Sequence, residues 1–238
     1  MEHRSFFIGL SGFAGCGKDL FSDLLGEELK SHDISSSKVS IAESLKVECR
    51  STLVRLMGID ILNCTREEKN KVRDYLVFYG LVMRDRSGGR HWIDRTSERI
   101  NRWDSIFPRE PVATLEYIPE VIICEEDMEG LGEEEEEWDG GFPLVFCITD
   151  IRYDEYKKDE VYWVKKELKG KLVHLTKEGS PAANSFEEEN DPRLQEKADY
   201  KIVWPDCNSN QKEINKHLRP RVLQFIDWLL ENEKKKKI

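Results

Sequence analysis

The chain has 238 residues, of which 35% are charged, and a formal net charge of −10 at pH 7. This length suits a single α/β domain with insertions, and the negative charge disfavours nucleic acid as a partner. The six scattered cysteines form no C-x-x-C pair, which argues against a disulfide framework or a zinc site and suits a reducing cytoplasm. Because no signal-peptide pattern opens the chain and no apolar stretch approaches membrane-spanning length, we expect a cytoplasmic protein that does not enter a membrane.

An apolar run and a glycine-rich turn lie near the start of the chain. Residues Ser5–Leu10 predict a buried parallel strand, and Gly12–Lys18 follow with G-x-x-x-x-G-K spacing. Such spacing lets successive backbone N–H groups point at phosphate oxygens, while the lysine adds a mobile positive charge. A helical pattern to Lys30 would aim its positive end at the same anion. We therefore predict that a nucleoside triphosphate binds to Gly12, Phe13, Ala14, Gly15, Cys16, Gly17, Lys18 and Asp19.

The next hundred residues read as a strand, three helices and an acidic segment. The patterns predict a strand over Lys38–Ala42, then helices over Glu43–Met57, from a Thr65/Glu68 capping box to about Arg84, and over His91–Ile106. We assign about 43–120 as a helical region that would bind the second substrate, the acceptor of a phosphoryl group. Val121–Cys124 could form an extra strand, and the glutamate-rich insertion at about 125–141 is expected to be a solvated loop.

The last part of the chain supplies three more strands. Pro143–Thr149 predicts the most buried strand and delivers Asp150 at its end; Lys171–Leu175 and Tyr200–Trp204 supply two others, and a final helix follows. The polar stretch between these two strands predicts a loop, with a lid-like segment at about 177–198. Alternating strands and helices predict a three-layer α/β fold, with a five-stranded parallel sheet and helices on both faces, in one domain over 1–238.

Ligands bind at the carboxyl ends of the strands in such sheets, where Asp150 and Arg152 are expected. Asp150 can hold magnesium or orient the acceptor, and Arg152 can clamp a phosphate; alternatively, Asp150 caps a helix that starts near Asp154. Trp92 could stack on a base or belong to the core. The cations that could stabilise a migrating phosphoryl group are Lys18, Lys46, Arg84, Arg86, Arg152, Lys177 and Arg193, each of which could instead be an ordinary surface residue.

Together these motifs resemble the deoxynucleoside monophosphate kinases of large bacteriophages and related viruses. The resemblance runs from Phe7 to about Leu218 and rests on G-K-D at the end of Gly12–Asp19, Ala42–Lys46, Tyr79-Gly80 leading to Arg84, Trp92 and Asp150-Ile151-Arg152. It implies a P-loop kinase fold and transfer of the ATP γ-phosphate to a deoxynucleoside 5′-monophosphate with Mg²⁺, in a host cytoplasm if the protein is viral. Lys46 and Arg84 would then contact the acceptor nucleotide, Asp150 and Arg152 would match the family's D-x-R, and Lys177 would enter the lid.

Three features depart from the family pattern. Leu20 follows Asp19 where a threonine is common, so that Asp19 or water must hold the metal, beside Asp150. Tyr156 stands where a glutamate is expected, with Glu155 one residue before it. The lid motif is represented by Asn184–Glu187.

Other functions stay open at this point. G-K-D and D-x-R also resemble the animal-type phosphomevalonate kinases, and a kinase of hydroxymethylated bases in viral DNA has a related pattern. A nucleotide-binding protein without transferase activity would need only the triphosphate side of the site. We expect small-molecule nucleotide substrates, and the sequence leaves a homodimer open.

Overall fold

The computed structural model describes residues 5–32, 34–106, 145–182, 185–207 and 210–235. The described strands are β1 (Phe6–Ser11), β2 (Ser36–Ser40), β3 (Val145–Ile151), β4 (Lys171–Lys177) and β5 (Tyr200–Trp204). They form one sheet in the order β2-β3-β1-β4-β5, and every neighbouring pair is parallel. The predicted five-stranded parallel sheet is therefore confirmed.

Helices cover both faces of this sheet. They are α1 (Lys18–Lys30), α2 (Ile41–Met57), α3 (Arg66–Arg86), α4 (His91–Ile106), α5 (Glu160–Tyr162, continued by a π-helical segment, Trp163–Glu167), α6 (Ser185–Lys197) and α7 (Gln211–Lys235). One core cluster joins α1 and α7 to the sheet, and a second joins α2, α4, α5 and α6 to the opposite face. The predicted three-layer α/β arrangement is therefore confirmed.

The first four residues of strand β3, Val145–Ile148, are all apolar, and their packing explains why. Val145 and Cys147 belong to the core cluster on one face, whereas Phe146 and Ile148 belong to the cluster on the other. A central parallel strand with helices on both sides buries every side chain, so polar and apolar residues do not alternate. Asp150 lies near the carboxyl end of this inner strand. It therefore lies at the end of the sheet where all five parallel strands have their carboxyl ends, which we call the sheet edge.

The helical region after β2 is described up to residue 106. Helix α3 packs on α2 in a separate small cluster that includes Cys49, Leu53, Val72 and Leu76. The predicted capping box starts α3: the Thr65 hydroxyl accepts from the backbone N–H of Glu68 at 3.2 Å, and the Glu68 carboxylate accepts from the backbone N–H of Thr65 at 2.8 Å. The predicted bounds of α4 are also confirmed.

Three sequence predictions are corrected by the structure. Strand β2 ends at Ser40, two residues early, because Ser40 is the N-cap of α2. Much of the stretch predicted as a loop is α6, whose only buried residues, Asn190 and Leu194, give no apolar periodicity to read. The helix expected near Asp154 starts at Glu160 with Asp159 as its cap, so Asp150 is not a helix cap.

Several predictions fall outside the described residues. They concern Val121–Cys124, the insertion at about 125–141, Pro143-Leu144 at the start of the third predicted strand, and Asn184. The five cysteines of the described ranges form no disulfide with one another. Within those ranges no helix combines the length and apolar character needed to span a membrane.

Candidate functional site

The glycine-rich turn after β1 has a backbone that only glycine adopts easily. Gly12, Gly15 and Gly17 have φ angles of +124°, +78° and +97°. A Cβ atom on Gly12 would lie 2.1 Å from the carbonyl oxygen of Leu175, and one on Gly17 would lie 2.5 Å from the Trp204 ring. The Trp204 indole also donates to the carbonyl of Cys16 at 2.8 Å. Strands β4 and β5 therefore fix the shape of the turn.

Lys18 and the first turn of α1 complete a site for an anion. The Lys18 ammonium group is buried and donates to the carbonyl oxygens of Gly12, at 2.8 Å, and Phe13, at 2.9 Å. Helix α1 begins at Lys18 after a glycine N-cap, so no side chain caps its first N–H groups. Free N–H groups, the positive end of a helix and a lysine are the groups that bind phosphate in such loops.

Asp150 lies at the same edge of the sheet in a strained backbone conformation. Its φ is +70°, and the pairing of β1 with β3 shifts register between Gly9 and Ser11, opposite this point. A non-glycine residue in the left-handed region costs on the order of 1–3 kcal/mol, so neighbouring contacts must hold it. Ser40 Oγ donates to Oδ2 of Asp150 at 2.8 Å, and Arg152 Nη2 donates to Oδ1 at 3.1 Å.

These contacts also determine the charge of Asp150. Burial disfavours the carboxylate, but the Arg152 guanidinium and the Ser40 hydroxyl outweigh it and hold the pKa of Asp150 below its usual value. The group is therefore ionised at neutral pH. Asp150 and Arg152 are brought together with the glycine-rich turn, as predicted for the carboxyl ends of neighbouring strands.

A buried glutamate that the sequence analysis missed holds the turn after Asp150. The Glu160 Oε2 atom accepts from the backbone N–H groups of Arg152, at 2.6 Å, and Tyr153, at 3.0 Å. Burial raises the pKa of Glu160 to about 8, although both backbone donors oppose the shift. Glu160 thus fixes the backbone that presents Arg152. One glutamate among many gives no sequence signal for this role.

Arg84 is buried in a different cluster. Its guanidinium pairs with Glu155 at 2.8 Å and with Asp159, and it lies between the rings of Tyr153 and Tyr156. Only 3% of Arg84 is exposed. The predicted contact of Arg84 with an acceptor phosphate stays a prediction, and the contacts present give the residue a structural role. Glu155, noted for its displaced position, is one of its two partners.

Trp92 is a core residue. It is buried among residues of the second core cluster, its indole N–H donates to the carbonyl of Gly80 at 2.9 Å, and Tyr79 and His91 contact its ring. The alternative given for Trp92, a place in the core, fits this packing, and nothing here supports stacking on a base.

Two cations of the helical region lie near the start of α2. Lys46, in the second turn of α2, is half-buried and makes no ion pair with the described residues. Arg99 of α4, which the sequence analysis missed, donates to the carbonyl of Ser40 and the hydroxyl of Ser44, both at 3.3 Å, and pairs with Glu43 at 2.7 Å. Helix α2 follows β2 directly, and Arg99 contacts Ser40, the last residue of β2, which also bonds Asp150.

The remaining predicted residues are Asp19 and Lys177. The Asp19 side chain is 79% exposed, and its carboxylate pairs with the Lys38 ammonium group at 3.8 Å. Lys177, the last residue of β4, pairs with Asp206 at 3.5 Å. Neither residue contacts Asp150 or Arg152 directly, so their proposed roles rest on the predicted positions of the ligands.

The donor set fits a magnesium ion that is shared with a bound triphosphate. Within the described ranges no three His, Cys, Asp or Glu side chains are grouped closely enough to hold a metal. Mg²⁺ is commonly held by one or two carboxylates together with substrate phosphates and water. The ionised Asp150 carboxylate beside the glycine-rich turn suits that arrangement, and the exposed Asp19 is a second candidate ligand.

A carboxylate of α6 reaches the glycine-rich turn. The Glu187 Oε2 atom accepts from the backbone N–H of Ala14 at 3.1 Å, and Oε1 lies 3.4 Å from Arg152 Nη1. The sequence analysis placed Glu187 in the lid motif but gave no reason to expect contact with the turn. The chain thus brings a negative charge to the donors predicted to bind phosphate.

Comparison with known proteins does not assign this chain to a family. No protein-family model matches the chain, and no curated protein matches it. A solved structure, dephospho-CoA kinase from Campylobacter jejuni, is similar at 13% identity over 98% of this chain and 100% of that chain, with a TM-score of 0.42. A likeness this distant identifies neither an acceptor nor an activity for this chain.

Proposed function

We propose that the chain is an ATP-dependent kinase that transfers the γ-phosphate to a deoxynucleoside 5′-monophosphate. The observation that carries the proposal is the glycine-rich turn, with Lys18, at the same end of the sheet as Asp150 and Arg152. A protein that only binds a triphosphate needs the turn and the lysine. The additional ionised carboxylate and arginine support a reaction at the terminal phosphate.

The residues of the site would have different roles in phosphate transfer. Lys18 and the N–H groups of the turn would bind the phosphates of ATP, and Arg152 would neutralise charge that spreads over the oxygens of the migrating group. An oxygen of the acceptor phosphate forms a bond to the γ-phosphorus while the bond to the bridging oxygen breaks, which gives a diphosphate and ADP. Mg²⁺, when bound with ATP near Asp150, would supply further neutralisation of phosphate charge.

The acceptor is the finer part of the proposal. Lys46 could receive its phosphate, since it makes no ion pair with the described residues. Arg99 is 32% exposed and pairs with the partly exposed Glu43, so it could exchange that partner for a phosphate. Arg84 and Trp92 do not add support, because both are engaged within the protein. The resemblance of the sequence to deoxynucleoside monophosphate kinases therefore carries the choice of acceptor.

A transfer assay tests both parts of the proposal. ATP labelled at the γ-phosphate is supplied with each of the four deoxynucleoside monophosphates, with phosphomevalonate, or with a DNA oligonucleotide containing hydroxymethylated bases. We expect label in a deoxynucleoside diphosphate, formed roughly 10²–10³ times more slowly by Lys18→Ala. Label in one of the other acceptors would show that the chain is a kinase with a different substrate. ATP hydrolysis that no acceptor changes would contradict transferase activity.

A further inference from the structure

Helix α6 places Glu187 on the two groups that we assign to phosphate binding. The carboxylate accepts from the backbone N–H of Ala14 at 3.1 Å through Oε2 and lies 3.4 Å from the Arg152 guanidinium through Oε1. Only 10% of the Glu187 side chain is exposed. Its neighbours Glu188 and Glu189 are exposed, so the contact distinguishes Glu187 from the other glutamates of the same helix.

A carboxylate and a phosphate compete for such donors. Both are anions with planar or tetrahedral sets of acceptor oxygens, and both bind backbone N–H groups and guanidinium groups through charge-assisted hydrogen bonds. They cannot share one N–H at hydrogen-bond distance, and their like charges repel. A triphosphate that uses the N–H of Ala14 and the guanidinium of Arg152 must therefore separate both from Glu187.

The attachment of α6 makes such a separation feasible. Its buried residues are Asn190 and Leu194, of which only Leu194 is apolar. Asn190 donates to Glu155 at 3.4 Å, and the Asp191 carboxylate lies 3.6 Å from the buried His174 ring. A helix with one apolar anchor and mostly polar contacts belongs to the part of a protein that opens at low free-energy cost.

We infer that Glu187 is an affinity-determining residue of the nucleotide site, an internal anion that a phosphate of the incoming nucleotide displaces as the first turn of α6 moves away. The inference rests on the proposed function only in requiring that the glycine-rich turn binds a triphosphate. It needs no particular acceptor. Displacement makes the Nη1 side of Arg152 available to the phosphate that is transferred, while Nη2 keeps its pair with Asp150. Nη1 therefore faces Glu187 before ATP binds and phosphate afterwards.

Calorimetric titration of ATP into wild type, Glu187→Gln and Glu188→Gln tests the inference. The glutamine keeps the size of the side chain but loses its charge, so we expect Glu187→Gln to bind ATP about fivefold more tightly. The matched change at the exposed Glu188 should leave the Kd within about twofold of wild type. Adenosine, which lacks phosphates, should bind all three equally. Thermal unfolding of each variant verifies that it is folded.

Hydrogen exchange gives an independent measurement of the movement. In wild type, saturating ATP should speed amide exchange in residues 185–197, whereas adenosine should not. Equal ATP Kd values for wild type and Glu187→Gln, weaker binding by Glu187→Gln, or α6 exchange that ATP slows or leaves unchanged would overturn the inference. If wild type binds no ATP, the proposed function fails together with the inference; if wild type binds ATP but the variants do not differ, the inference alone fails.

Discussion

Two of the four arginines named from the sequence as candidates for phosphate binding, Arg152 and Arg84, have different surroundings in the structure. Arg152 lies at the carboxyl edge of the sheet, 38% exposed, beside Asp150 and Glu187. Arg84 is 3% exposed and is enclosed by Glu155, Asp159 and two tyrosine rings. The sheet-edge cluster (Lys18, Asp150, Arg152) and the Arg84 cluster (Arg84, Glu155, Asp159) therefore differ in access to solvent and to ligands.

The difference shows what an isolated arginine in a sequence can and cannot indicate. A buried guanidinium with two carboxylates is already neutralised, and a ligand that approached it would first have to break both pairs. A partly exposed guanidinium that pairs with side chains at a ligand-binding edge can exchange partners at much lower cost. We therefore expect changes in the Arg84 cluster to alter stability and changes in the sheet-edge cluster to alter activity.

The largest effect is expected from Arg84→Ala. Removing the cation leaves the fully buried Asp159 carboxylate without its charged partner, which costs about 3–5 kcal/mol of unfolding free energy. Arg152→Ala, at a partly exposed pair, should cost less than about 1 kcal/mol. Urea unfolding followed by tryptophan fluorescence measures both. Equal losses in the two variants would remove the distinction between the clusters.

Lys18→Ala should have the next largest effect, and on turnover instead of folding. Loss of one charge-stabilising contact of this kind costs about 2.7–4 kcal/mol in the transition state, or roughly 10²–10³ in rate. Steady-state rates of phosphate transfer measure the change, with Lys69→Ala, an exposed lysine of α3, as the matched control. Near-normal turnover of Lys18→Ala would exclude the glycine-rich turn as the phosphate site.

Glu160→Gln should change how stability depends on pH. In the folded chain the pKa of Glu160 is raised to about 8, above its value of roughly 4.3 when unfolded. Between these values the folded state binds the extra proton, so this group makes wild type lose stability as the pH rises, by up to about 1.4 kcal/mol per pH unit. The glutamine oxygen can still accept from both backbone N–H groups. The contribution of residue 160 to the change of unfolding free energy with pH should therefore disappear in Glu160→Gln.

Urea unfolding at several values between pH 5 and pH 8 provides the measurement for Glu160. The slope is taken as the difference between wild type and the variant, which removes the contribution of other titrating groups. Parallel curves for the two chains would show that Glu160 is ionised throughout this range. The turn that presents Arg152 would then be held by a buried carboxylate and not by a protonated acid.

The smallest expected effect is that of Ser40→Ala. Its hydroxyl donates to the ionised form of Asp150, so its removal should raise the pKa of Asp150 and shift the acid limb of the activity profile upward by less than one pH unit. Ser40→Thr keeps the donor and should restore the profile. If the acid limb is the same in wild type and Ser40→Ala, the titration of Asp150 does not produce it.

The parts of the fold that could be predicted are those fixed by local sequence. The glycine-rich turn needs positive φ angles at defined positions, the Thr65/Glu68 capping box needs only four residues, and strand β3 is apolar from Val145 to Ile148. Helix α6 could not be predicted in this way, because a helix with two buried residues has no apolar stripe.

Side-chain roles at the site were harder to predict than its backbone. Glu160, Glu187 and Arg99 are three charged residues in a chain where 35% of residues are charged, and only the folded contacts distinguish them. For the same reason Arg84 and Trp92 could not be separated from ligand-binding residues beforehand. Their partners Asp159 and Gly80 are 75 and 12 residues away in sequence.

Thermal unfolding with and without ATP tests the central claim most directly, namely that the sheet-edge cluster binds the nucleotide. A ligand at 100 times its Kd adds about 2.7 kcal/mol to the stability of a chain that binds it in the folded state. We predict that ATP with Mg²⁺ raises the Tm of wild type and of Lys69→Ala by equal amounts and raises that of Lys18→Ala by less, because Lys18→Ala lacks one of the phosphate contacts. An equal rise in Lys18→Ala, or no rise in wild type, would contradict the claim.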